Sequence, residues 1–77
     1  MQTDANTVFV LWCRLTGTSL DEFTDDERRA FLARPQVTIL ARTPYEFLLD
    51  AGIAAARSGT LPLERWLNAV ETVRPVA

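Results

Sequence analysis

Apolar side chains recur at three- and four-residue spacing through most of this chain, the period of one face of an α-helix. The stripe is clearest near the carboxyl end. There Leu63, Trp66, Leu67, Val70 and Val73 share a face, while Glu64, Arg65, Asn68 and Glu71 take the other. This predicts an amphipathic helix over about residues 62–73. Upstream, Tyr45, Leu48, Leu49, Gly52 and Ala56 align in the same way, widened by Ala51, Ala54 and Ala55, and predict a central helix over 44–58. Ile53 falls among Glu46, Asp50 and Arg57 and is expected to be exposed. Gly52 and Ala56 lie one turn apart and allow another helix to come close, either inside a helical hairpin or between molecules.

Between the stripes, capping residues punctuate the chain. Ser19 with Glu22, and Thr24 with Glu27, have the spacing at which a hydroxyl and a carboxylate satisfy each other's free backbone amides. The first pair predicts one helical turn. The second predicts a helix running through Arg28, Arg29, Ala30, Phe31 and Leu32 and stopping before Pro35. In Thr43-Pro44-Tyr45-Glu46, Thr43 is the expected cap, Pro44 the first helical residue and Glu46 the closing acid. Gly59 is the expected left-handed stop, after which Pro62 restarts the chain. Two helices joined by so short a link make a hairpin.

Residues 8–13 and 37–40 are rich in β-branched and aromatic side chains that also suit strands. For the first, Val8, Leu11, Trp12 and Leu15 have helical spacing between an Asp4 cap and a Gly17 stop, which favours a helix. For the second, the space between Pro35 and Thr43 favours an irregular connection. The expected fold class is therefore all-α: a compact four-helix domain spanning 1–77 with a C-terminal helical hairpin. The alternative is α+β, with short strands near 8–13 and 37–41.

Composition narrows what such a domain can do. At 77 residues the core is small, yet 48% of the residues are hydrophobic, far too many for a disordered chain. Cys13 is the single cysteine and histidine is absent, so an intramolecular disulfide and an ordinary zinc site are both excluded. The thin core then points to idealised helix packing, a homodimer or a protein partner as its supplement. No apolar run is long enough for a bilayer, and the amino end is polar and acidic rather than basic, so a cytoplasmic location is expected. All eight basic residues are arginine, a bias that suggests GC-rich coding and hence a bacterium or its phage.

Without histidine most catalytic arrangements disappear, and no enzyme activity, cofactor or metal is expected. Cys13 sits in an apolar run, which suits a packed thiol better than a nucleophile. Asp21, Glu22, Asp25, Asp26 and Glu27 form the densest charge cluster, first of all as helix-start residues and otherwise as a patch for a partner. Arg28, Arg29 and Arg34 resemble a basic stripe. However, the long link from Arg34 to Thr43 does not suit a helix-turn-helix, and the net charge of −2 and pI near 4.9 oppose binding to nucleic acid. The run Arg42-Thr43-Pro44-Tyr45-Glu46-Phe47-Leu48 resembles the Arg-Thr-Pro-x-Glu-Leu-Leu stretch in the toxin-binding domain of Xre/MbcA/ParS-type antitoxins, over seven residues. That resemblance implies a short antitoxin folded against its toxin.

The expected function is thus a non-enzymatic protein-interaction module: a small regulator or inhibitor, phage or mobile-element encoded, that docks on a larger bacterial protein. The alternatives are an assembly subunit such as an antitoxin and, further down, a transcriptional regulator. Aromatic residues dominate interface energetics, so Phe9, Trp12, Tyr45 and Trp66 are the candidate anchors, with Asp25, Asp26, Arg28 and Arg29 as a polar rim. The same aromatic residues suit a core equally well.

Overall fold

The computed structural model of the protein describes residues 3–73, so residues 1–2 and 74–77 of the expected 1–77 unit lie outside the described residues. Helix α1 (Ala5–Thr16) begins where Asp4, in extended backbone, accepts the Thr7 N–H at 2.8 Å. It ends at Gly17, whose φ of 70° lets its amide turn back onto the last carbonyls, including that of Cys13. Residues 8–13 are therefore helical. Local bonds at both ends of the segment outweigh the β-propensity of its valines.

A 3₁₀ turn (Leu20–Glu22) and helix α2 (Asp25–Leu32) follow, each opened by the capping box read from the sequence. Glu22 Oε2 accepts the Ser19 N–H at 3.1 Å, while Ser19 Oγ accepts from Asp21 N–H. Thr24 and Glu27 exchange bonds of 3.0 and 3.2 Å.

Helix α3 (Pro35–Leu40) replaces the expected irregular connection, so the described residues form five α-helices where four were expected. Pro35 stands at the start, where its locked φ suits a helix and its missing amide costs nothing. Packing decides the rest. Val37 and Leu40, three residues apart, are both fully buried, while Ile39 is 55% exposed. A strand would have put Val37 and Ile39 on one face and left Leu40 on the other.

Helix α4 (Tyr45–Ala55) also departs from expectation at both ends. Thr43 does not cap it. The residue is 3% exposed, its hydroxyl lies 3.5 Å from the Ile39 carbonyl, and no side chain caps the helix. At the other end Ala56 turns extended, and a tight turn over 57–60 carries Ser58 and Gly59 at φ 54° and 77°. Arg57 and Thr60 exchange backbone bonds of 3.0 and 2.9 Å across it, which is the geometry of a type I′ turn. Gly59 is left-handed as expected, but within this turn rather than at the helix end. Helix α5 (Leu63–Val73) is the last element of the described residues.

The hairpin of α4 and α5 is the most extensive packing in the molecule, and α1 and α3 cover it. Trp66 sits at its centre, fully buried, and donates its indole N–H to the Leu48 carbonyl at 3.0 Å. That carbonyl lies one turn before Gly52, where the absent side chain leaves the indole room to approach. With 72% of the described residues helical and no sheet among them, the class is all-α.

Candidate partner-binding groove

Outside the main core, a second cluster joins α1 to the segment that follows it. The Phe9 ring meets Phe23 and Phe31 edge-on, both at 5.1 Å, and Trp12 meets the same two rings at 6.0 and 5.4 Å. No residue of α2 is fully buried, and its own aromatic contacts to α1 are the two made by Phe31, each worth about 0.5–1.5 kcal/mol beyond area burial. Arg28 adds to them. Its guanidinium donates to Asn6 Oδ1 at 2.7 Å and lies over the Phe9 ring at 5.8 Å.

Beside this cluster opens a groove of about 470 Å³, lined by Asn6, Phe9, Val10, Leu20, Asp21, Phe23, Thr24, Asp25 and Arg28. Its lining is mixed: Val10, Leu20 and Phe23 lie among polar and charged side chains, and Phe9 is almost wholly enclosed at 2% exposure. Leu20 stands on its wall 49% exposed, one of three large apolar side chains left open in the described residues. The carboxylates around it fall into two groups. Glu22 and Glu27 are engaged in the capping boxes, and the Thr24 amide and hydroxyl hold the Glu27 carboxyl below the usual carboxylate range. Asp21 and Asp25 line the groove and, among the described residues, their carboxylates make no hydrogen bond or ion pair.

Of the residues singled out in the sequence, Phe9, Asp25 and Arg28 come together at this groove. Trp12 belongs to the adjoining cluster, half-buried, with its indole N–H given to the Leu61 carbonyl at 2.7 Å. Asp26 and Arg29 do not line the groove; their 3.9 Å pairing is highly exposed and contributes little. Tyr45 is half-buried at the start of α4 and borders a shallower cleft with Asn6, Thr7, Val10, Leu11 and Arg14. Trp66 has no surface to offer a partner. Leu20, Val10 and Phe23 were missed. The available signal was Leu20, an apolar side chain standing alone between Ser19 and Asp21.

Cys13 is buried, and burial, followed by the nearby Glu22 charge, pushes its thiol up, away from the reactive thiolate. Among the described residues no group of three or more His, Cys, Asp or Glu could hold a metal ion, and no helix is long and apolar enough to cross a membrane. Comparisons of the chain with protein-family models, with curated proteins and with solved structures return no match, so the antitoxin-like stretch remains a likeness of seven residues.

Proposed function

We propose that this protein is a non-enzymatic interaction module, a small regulator or inhibitor that docks on a larger protein through the groove between α1, the 3₁₀ turn and α2. The observation that carries this reading is Leu20, half exposed in a groove it shares with Val10 and Phe23 while the main core closes without it. A partner segment that inserts one apolar side chain there would bury Leu20 and the exposed parts of Val10 and Phe23. The module works by occupancy, covering a surface of its partner, and needs no reacting group. On the same reading it acts in the cytoplasm of a bacterium with GC-rich DNA and is encoded by a phage or mobile element, which the all-arginine set of basic residues favours.

The test is a titration of the partner captured by the intact protein against three forms of it: the wild type, Leu20→Glu, and Glu64→Ala on the exposed face of α5. The expected result is at least about a tenfold loss of affinity for Leu20→Glu, as for removal of an interface anchor, with an unchanged helical circular dichroism spectrum and an unaffected Glu64→Ala. A partner that binds Leu20→Glu as tightly as wild type overturns the reading.

A further inference from the structure

This inference rests on the docking reading above and names the chemistry of the occupant. We propose that the groove receives a protein segment in which an apolar side chain is flanked by Lys or Arg. Five of the chain's ten carboxylates fall between Asp21 and Glu27. The capping boxes account for Glu22 and Glu27, whose oxygens already accept backbone amides. Asp21 and Asp25 are different: they line the groove alongside Leu20, are exposed, and have no partner of their own among the described residues.

Arg28, the one cation on the lining among the described residues, is already committed to Asn6 and to the face of Phe9, and it lies on the α2 side of the groove. A partner that brought carboxylates to this site would meet two unpaired acids. One that brought ammonium or guanidinium groups would pair with them while its apolar side chain packed against Leu20. The acids favour the starts of the 3₁₀ turn and α2 in any case, but that role is local and makes no demand on a ligand. The two roles separate in a binding experiment.

The intact protein is immobilised and challenged with a random-peptide phage library, and the enriched sequences are synthesised and titrated. The expected result is enrichment of an apolar residue with Lys or Arg beside it. Affinity should fall about tenfold in Asp21→Lys/Asp25→Lys and decline with rising salt, as rim electrostatics do. Glu64→Lys/Glu71→Lys on α5 changes the net charge equally and leaves binding unchanged. Asp21→Asn/Asp25→Asn repeats the measurement with less risk to the helix start and gives a smaller loss. If enriched peptides are lost on Leu20→Glu yet are uncharged or acidic, or are indifferent to both double substitutions at Asp21 and Asp25, the docking reading stands and the basic partner falls. If no peptide is enriched, or binding ignores Leu20→Glu, the docking reading fails and takes this inference with it.

Discussion

Gly52 shows how one residue can carry a contradiction between local and tertiary physics. In the interior of a helix, alanine is favoured over glycine by about 1 kcal/mol. A Cβ at position 52, however, would collide with the Leu15 side chain and press within 3.2–3.3 Å of the Trp66 indole. Leu15 is half-buried and can swing its methyl aside; Trp66, fully enclosed and hydrogen-bonded to Leu48, cannot. Overpacking of this kind typically costs about 1–3 kcal/mol. Gly52→Ala is therefore expected to destabilise the protein by about 1 kcal/mol in urea denaturation, net of the propensity gain. Leu15→Ala should make the same change less costly, with a coupling of at least about 0.5 kcal/mol in the double-mutant cycle. A stabilised Gly52→Ala would show that the indole yields. The sequence flagged position 52 as a place of close approach, and only the structure names the approaching group.

At the scale of the element, the boundaries that were legible are those closed by bonds within a few residues: Asp4 to Thr7, Ser19 with Glu22, Thr24 with Glu27, and Gly17 at the end of α1. Those that were not depend on partners elsewhere. Thr43 has the right type and spacing for a cap, yet it is drawn into the interior behind α3. The capping bonds also predict an acid response. Hydrogen bonds to Thr7 hold the Asp4 carboxyl below its ordinary value, and those to Thr24 do the same for Glu27. A carboxylate with a depressed folded-state pKa contributes stability that is present above the ordinary carboxylate value and is lost as pH falls through the folded value. The urea midpoint should therefore fall as the solution is acidified below about pH 4. Asp4→Asn/Glu27→Gln should lower the neutral-pH midpoint and flatten that acid limb. An unchanged limb in the double variant would remove the caps as its cause.

Across the whole molecule, stability is unevenly spread. The hairpin of α4 and α5 surrounds Trp66, and the Trp12 indole ties α1 to the loop before α5 across 49 positions of sequence. By contrast α2 buries no residue completely and rests on ring edges and one arginine. Local opening is easiest where few apolar contacts must break. Backbone amides of α2 should exchange with solvent through a smaller opening free energy than those of α4 and α5, as measured by native-state hydrogen exchange. Equal protection of the three helices would mean that the aromatic cluster secures α2 as firmly as the core does. On the docking reading, easy opening would let α2 and the 3₁₀ turn adjust around an inserted side chain without disturbing Trp66.

By itself the sequence determined the helical class, the amphipathic stripe of α5 and the caps of α1, the 3₁₀ turn and α2. Each of these is a matter of side-chain period or of bonds made within one turn. The tertiary structure alone decided that residues 35–40 coil into a helix, that Thr43 faces inward, that Trp66 is core, and that Leu20, Phe9, Asp21 and Asp25 meet at one groove. Those outcomes depend on which distant surface each side chain finds, and neither propensity nor spacing along the chain contains that information.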